Sequence, residues 1–364
     1  MRILFAGGGS IGHIAPSVAV FREVQRLDPG AKGHFICSTS REDAAFLEKE
    51  KLPYSQIVRP RVSVRLPYQL WKAAKATREI LATFRPQVIF TKGGSLTVPV
   101  AREAAKLGIP IVLHESDAVS GRANRIISAS AQVICTGFPP QDNDSAFGLR
   151  KRGSANAERV MYTGNPVRPE VTAGSAEKAY RLTGFNGRRP VLLVYGGSQG
   201  AQALNQIVWD KLDDLLELCD IIHITGRGKE GEKRELAGYY PRAFAHDDLP
   251  HFYAIADLAI SRAGAGSISE LATCGIPSIL VPLRGVAHDH QMINATVAAK
   301  TGGFLVADQK ELKKSIVSMV RDLFQYPHRR EEMSHLIRRL AVPDAATHIA
   351  QILLDLAQRN TRSL

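Results

Sequence analysis

Residues 261–283 read SRAGAGSISELATCGIPSILVPL. The apolar run Leu258–Ser261 predicts a strand that enters Arg262 and a turn of small residues. Gly264, Ala265 and Gly266 let backbone come close to a ligand, and Ser267 then opens a helix with Glu270 three residues on, the spacing of a capping box. A helix that begins after a glycine turn offers free N–H groups and a positive dipole end to a phosphate. Glu270, one turn inside, can instead direct its carboxylate at a ribose diol. Cys274-Gly275-Ile276-Pro277 closes the helix, and SILVPL (278–283) supplies the next buried strand. Strand, phosphate turn, carboxylate helix and strand make half of a nucleotide site; taken alone, the stretch also fits a plain βαβ unit.

The same plan recurs along the chain. Residues 2–6 form a strand leading into Gly7-Gly8-Gly9-Ser10-Ile11-Gly12-His13, and residues 14–27 have helical spacing closed by Gly30. Gly7, Gly9 and Gly12 satisfy GxGxxG. A dinucleotide fold wants an acidic residue at the end of the second strand, but that strand, 34–37, ends in Ser38-Thr39-Ser40-Arg41. An NADP-type site using Arg41 is the remaining form of that idea. The turn itself implies an anion at the helix N-terminus, where the dipole favours neutral His13, a candidate general base as well as a candidate structural histidine. A strand at 87–91 delivers Lys92-Gly93-Gly94, and one at 109–113 ends in His114-Glu115-Ser116-Asp117. Residues 163–168 read as an interdomain crossing. The pattern then restarts with a strand at 191–195, the turn Gly196-Gly197-Ser198-Gln199-Gly200, and a strand at 220–225. The fold class is therefore α/β, with two doubly wound parallel sheets and glycine turns at strand C-terminal ends.

At 364 residues the chain fits two domains of ordinary size, and 45% hydrophobic with 23% charged residues describes a globular protein. No apolar run approaches the roughly 18 residues of a membrane span, and no secretory leader is expected. Cys37, Cys135, Cys219 and Cys274 are scattered in or beside apolar segments and read as reduced core residues. The net charge of +12 implies a polyanionic partner. Between residues 59 and 85 the basic Arg59, Arg61, Arg65, Lys72, Lys75 and Arg78 surround Leu66, Tyr68, Leu70 and Trp71. That composition suits an anionic membrane surface, or a surface helix that packs Trp71 and Ile80 into its own domain. Asp142-Asn143-Asp144 matches the DxD of metal-dependent sugar transferases but lies in a polar loop and is discounted. His288, Asp289 and His290 make a poor metal set, because i and i+2 side chains do not share a helix face.

Seven segments in order carry a family resemblance: GGGSIGHIAP (7–16), KGGSLTVP (92–99), HESDAVSGRAN (114–124), GNPVR (164–168), GGSQGAQALN (196–205), SRAGAGSISE (261–270) and HQMINA (290–295). The chain resembles, over about residues 1–310, the inverting transferases that move N-acetylglucosamine from UDP-GlcNAc to lipid I in peptidoglycan synthesis (the MurG family). The resemblance implies GT-B architecture: two Rossmann-like domains facing a central cleft. The expected division is an acceptor- and membrane-binding domain at 1–163, a UDP-sugar domain at 164–343, and a C-terminal helix at 344–364 packing back on the first. It implies a donor set of Arg168, Ser198, Gln199, Gly264, Ala265, Gly266, Glu270, His290 and Gln291, with His246 at a position where the family's backbone contacts uracil. It implies an acceptor-diphosphate cradle at Ser10, Ile11, Gly12, His13, Gly93, Gly94 and Asp117, and His13 as catalytic base. No catalytic metal and no other cofactor are expected. The partners are UDP-GlcNAc, an undecaprenyl-diphosphate acceptor and an anionic membrane, not nucleic acid, with the enzyme peripheral on the cytoplasmic face. Two departures bear on the acceptor side: Ile11 stands where the family has glycine, and HESD replaces HEQN, so that Asp117 takes an amide's place. The alternatives are a related transferase acting on another lipid such as diacylglycerol, a UDP-GlcNAc 2-epimerase, a non-enzymatic nucleotide-binding module and an NADP reductase.

Overall fold

Strands covered on both faces need unbroken apolar runs rather than alternation, and VIFT (88–91) and VLLVY (191–195) are buried at every position. In the computed structural model, which describes residues 1–9, 11–139, 159–197, 200–231, 235–285 and 289–362, such runs form two parallel sheets. The first contains β1 (Arg2–Ala6), β2 (Lys32–Ser38), β3 (Tyr54–Ile57), β4 (Val88–Thr91), β5 (Ile111–Glu115), β6 (Val133–Thr136) and β7 (Val160–Tyr162), in the order β3-β2-β1-β4-β5-β6-β7. The second contains β8 (Val191–Tyr195), β9 (Asp220–Ile224), β10 (Tyr239–Arg242), β11 (Leu258–Ser261), β12 (Ser278–Leu280) and β13 (Phe304–Val306), in the order β10-β9-β8-β11-β12-β13.

Each order reverses once, between β1 and β4 in the first sheet and between β8 and β11 in the second. Open α/β sheets leave a crevice at such a reversal, beyond the strands' carboxyl ends, because the flanking connections depart to opposite faces. The registers Ala6↔Thr91 and Ser261↔Tyr195 bring the last residues of these strand pairs side by side. All four glycine turns found in the sequence therefore start at the two reversal points.

The first compact unit is Met1–Arg168 with Val342–Leu364, and the second is Pro169–Ala341. The crossing segment begins with the first unit: the His114 ring bonds the Gly164 carbonyl at 3.0 Å, and Asn165 Nδ2 donates to Ser116 O at 3.1 Å. A β-carbon at Gly164 would meet the Val342 side chain at 2.4 Å, so the outgoing and returning strands of chain lie against each other.

In the first unit Phe5 stacks on Phe35 with ring centres 4.9 Å apart and meets Phe21 and Phe90 edge-on at 5.4 and 5.8 Å, arrangements that add to area burial. The C-terminal helix Ala345–Arg362 covers this core with Ile349, Ala350, Leu353 and Ala357, packed on the Ile11–Leu27 helix. Thr347 and Asn360 fasten its two ends, to Glu23 Oε2 at 2.8 Å and Gln87 O at 3.0 Å. Of the four free cysteines, Cys37, Cys135 and Cys219 are buried and Cys274 is half-buried. Leu353 has no exposed surface, so Leu353→Ala should destabilise the fold by about 2–5 kcal/mol through lost transfer energy and a residual cavity. A urea-unfolding midpoint unchanged by this substitution would show that the C-terminal helix is not part of the cooperative core.

Candidate active site

In the first unit the turn after β1 is drawn in by a carboxylate. Gly9 N donates to Asp43 Oδ2 at 2.7 Å, and the same oxygen accepts from Ser38 N at 3.2 Å and Ser38 Oγ at 2.6 Å. Gly9 has φ +94°, and the Arg59 guanidinium occupies the space that its β-carbon would need, so both backbone and neighbour require glycine. The helix starts at Ile11, which puts Ile11 and Gly12 in its first turn rather than in the loop. His13 follows, half-exposed, with its pKa below the usual histidine value through burial and then through the charge of Lys92. Asp117 and Asp43 oppose that shift, and Arg59 adds to it.

The turn after β4 adjoins it. Gly93 has φ +79°, and a β-carbon there would lie 1.7 Å from Asn124 Oδ1. Lys92, only 3% exposed, bonds the His114 ring at 2.9 Å and the Ser116 hydroxyl. Desolvation lowers its pKa to about 7 against the raising effect of Glu115 and Asp117. Glu115 is buried and its pKa is raised to about 7, first by desolvation and then by Asp117. Its oxygens accept from Asp117 N, Gly121 N and Asn124 Nδ2 at 3.0, 3.1 and 2.7 Å. This leaves Asn124 Oδ1 buried without a hydrogen bond. His13, Gly93, Gly94 and Asp117 thus belong to one polar cluster, whose interior is built by Asp43, Lys92, His114, Glu115 and Asn124. Of these, Lys92, His114 and Glu115 stand in motifs already singled out, and only burial reveals their part. Ser10 lies outside the described residues.

In the second unit the helix after β11 is Ala265–Cys274, with Gly264 as an extended N-cap that has no capping side chain. This corrects the capping-box expectation. The Gly264 carbonyl accepts from Ile268 N at 3.0 Å, so Ser267 is already inside the helix. Tyr253 OH donates to Glu270 Oε2 at 2.8 Å and lies 3.2 Å from Tyr195 OH. Burial, with Glu270 close by, pushes the Tyr253 phenol well above its ordinary pKa, so it stays a neutral donor. β-Carbons at Gly264 and Gly266 would meet nothing within 4 Å. The uncapped helix end therefore opens on free space, with Glu270 one turn behind it.

Asn294 Nδ2 donates to Ala263 O at 3.2 Å and fixes the helix His290–Ala299 against this turn. His290 is its first residue, and Gln291 Oε1 accepts from Leu283 N at 3.0 Å. The Asp289 carboxylate accepts from Gly285 N at 2.6 Å. Among the described residues no group of three or more His, Cys, Asp or Glu side chains gathers as a metal site. His246 bonds Asp247 at 2.8 Å beside Phe244, whose ring carries the Arg227 guanidinium at 4.4 Å. Arg168 is the last residue of the first unit, separate from the rest of the proposed donor set. Ser198, Gln199, His288 and the 142–144 DxD lie outside the described residues.

The basic segment forms the helix Leu66–Phe84 and the chain before it. Trp71 is 55% exposed and Tyr68 60%, stacked on each other at 6.1 Å, which excludes Trp71 from the core. Leu66 and Leu70 are half-buried. Val62 and Val64, which drew no attention as sequence, are 97% and 99% exposed. Among the described residues no helix is long and apolar enough to cross a membrane.

Two Rossmann-like units with glycine turns at their reversal points, one backed by a carboxylate helix, make up the GT-B architecture. A family model described as Glycosyltransferase family 28 N-terminal domain matches residues 3–136, and one described as Glycosyltransferase family 28 C-terminal domain matches 191–349. The chain belongs to the MurG family of UDP-GlcNAc-dependent transferases. It is 31% identical to the "UDP-N-acetylglucosamine--N-acetylmuramyl-(pentapeptide) pyrophosphoryl-undecaprenol N-acetylglucosamine transferase" of Exiguobacterium sp., covering 98% of this chain and 100% of the relative. The second transferase of that name in Bacillus cereus is 33% identical over 89% of this chain and 92% of its own. The crystal structure of Acinetobacter baumannii MurG superposes with a TM-score of 0.72 at 24% identity, covering 97% and 99% of the two chains. A UDP-GlcNAc 2-epimerase from Neisseria meningitidis gives 0.71 at 14% identity, covering 98% of this chain and all of that one. The architecture is thus shared by both reaction classes, and sequence kinship separates them.

Glu270→Ala should weaken UDP-GlcNAc binding by roughly 1.5–3 kcal/mol, the range for a hydrogen bond to a charged group. Tyr253→Phe should weaken it less, since it loosens the carboxylate without removing it. Calorimetry giving parental donor affinity for a folded Glu270→Ala protein would take Glu270 out of the site.

Proposed function

We propose that this protein transfers N-acetylglucosamine from UDP-GlcNAc to the muramoyl 4-hydroxyl of lipid I, forming lipid II with inversion at C1. The observation that carries the donor half is the uncapped helix end at Gly264, open to free space with the Tyr253-held Glu270 behind it. Helix N–H groups and dipole favour the diphosphate, and the carboxylate suits the ribose diol. The acceptor half rests on the paired turns at Gly9 and Gly93 and on neutral His13 between charged neighbours.

In this reading His13 removes the proton of the acceptor hydroxyl as its oxygen bonds to C1. The bond from C1 to the β-phosphate oxygen breaks, and the electron pair leaves with UDP. A positioned base supplies roughly 10²–10⁴-fold; the remainder comes from alignment and from stabilising charge on the departing diphosphate. No metal is required for these steps.

Labelled UDP-GlcNAc and lipid I should yield a labelled disaccharide lipid, in the presence of chelator as well as without it. His13→Ala should lower turnover at least ~10²-fold while leaving donor affinity within about threefold. Because burial lowers the His13 pKa from 6.5, its neutral form persists to more acid pH, so the acid limb of kcat/KM should fall below pH 6.5. Full turnover by His13→Ala would move the base elsewhere, and label released as free sugar or epimerised nucleotide would replace the transfer reading.

Peripheral attachment to the cytoplasmic face of the membrane belongs to the same proposal. Arg61, Arg65, Lys72 and Lys75 are exposed around Val62, Val64, Tyr68 and Trp71, and each cation is worth about 1 kcal/mol near an anionic leaflet. The apolar groups suit shallow insertion. Binding to anionic vesicles should fall with salt and should drop at least tenfold when Val62, Val64 and Trp71 become serine, with UDP-GlcNAc affinity unchanged. Parental vesicle binding by that folded variant would rule the segment out.

A further inference from the structure

Lys92 is the least compensated charge in the first unit. Its side chain is 97% buried, since 3% remains exposed, and among the described residues it enters no ion pair. Its ammonium has three donors, and two are used, on His114 Nδ1 and Ser116 Oγ. Both partners are neutral: His114 is held neutral by burial and by Lys92 itself, and its other ring nitrogen serves the Gly164 carbonyl. Burying a charge with neutral partners alone is unfavourable by several kcal/mol unless something of opposite sign arrives.

Its position indicates what that partner is. Lys92 ends β4 and leads directly into Gly93 and Gly94, while a β-carbon at Gly7 would lie 3.7 Å from Lys92 Cβ. The residue is wedged between the two glycine turns of one reversal point. Gly94, at φ +89°, has nothing within 4 Å of its would-be β-carbon, so that turn is open on the ligand side.

We propose that Lys92 is the specificity-determining cation of the acceptor site, donating its remaining N–H to a diphosphate oxygen held between the turns at Gly9 and Gly93. This rests on the reading of the first unit as the acceptor side. The diphosphate completes the ammonium's hydrogen bonds, and the ammonium rewards a diphosphate over a neutral lipid headgroup. The charges around it are Glu115 and Asp117 from β5 and the loop after it, Cys135 from β6, and His13 from the helix after β1, with Arg59 and Asp43 beyond His13.

Two readouts separate this proposal from the function on which it rests. The first is binding of geranyl diphosphate, a soluble prenyl diphosphate, with UDP saturating the donor side. Lys92→Met should lose at least about tenfold in affinity, as for a charge-assisted hydrogen bond removed, while UDP affinity reports that the variant is folded. Above pH 7 the parent's affinity should fall as Lys92 gives up its proton, and Lys92→Arg, always charged, should keep its affinity there. The second readout is transfer to lipid I, where Lys92→Met should raise the acceptor KM at least about tenfold and leave the donor KM alone. Parent protein that does not bind geranyl diphosphate, or a parental pH profile without the fall above pH 7, overturns the proposal. So does a folded Lys92→Met with parental affinity. Lys92-dependent diphosphate binding without sugar transfer would support the proposal and defeat the transferase reading instead.

Discussion

The constraint behind this molecule is the reversal of strand order in a parallel sheet. Parallel neighbours must be joined by right-handed crossovers, so a sheet that grows in both directions from one strand sends successive helices to opposite faces. At β1 and β4, and again at β8 and β11, the departing chains separate and leave backbone N–H groups without a covering element. Glycine is needed there because chain must turn where a neighbour already sits: Arg59 over Gly9, Asn124 over Gly93. Two such openings, one per unit, account for four glycine turns in one chain.

What fills each opening differs, and that difference divides the chemistry. In the second unit the polar groups near the turn are phenols and one carboxylate, and the N-terminus of Ala265–Cys274 supplies the positive end. In the first unit, buried ionisable side chains crowd the ends of β4 and β5, with Lys92 and Glu115 both brought to about 7 by desolvation. The opening in the second unit relies on fixed dipoles, whereas the one in the first unit is lined by groups whose protonation can change.

This contrast also explains what the sequence made legible. β1, β8 and β11 were readable because strands buried on both faces are apolar without interruption, and the turns because glycine is conspicuous. β3, β6, β7, β10 and β13 were not; all but the interior β6 are sheet edges, short and only partly buried. Glu270 was singled out from its spacing as a donor-site candidate, but Tyr253, 17 residues earlier, reaches it only through the fold. The capping-box reading failed because the helix begins at Ala265 with Gly264 as its N-cap, which puts Ser267 inside the helix and Glu270 too far along it to reach back. In the first unit Lys92 was visible as a letter before two glycines; its burial against the His114 ring and the Ser116 hydroxyl is a property of packing alone. Trp71 and Ile80 share one helix, and only the structure separates them, with the tryptophan exposed and the isoleucine against the core.

The electrostatics of the first unit then link recognition to reactivity. A base that must abstract a hydroxyl proton works best when neutral yet strongly basic, two demands that oppose each other at a fixed pKa. Burial, and after it the charges of Lys92 and Arg59, hold the His13 pKa down in the free protein and so keep it neutral. In the proposed reaction a diphosphate bound against the same cations would offset their field and raise the basicity of His13 as the acceptor arrives. Asp117 and Asp43 act in that direction already. In the proposed acceptor site the Asp117 carboxylate is set against the buried Lys92 ammonium, whose charged form Glu115 and Asp117 both favour, so a diphosphate held there would pair with a cation that neighbouring carboxylates help to keep protonated.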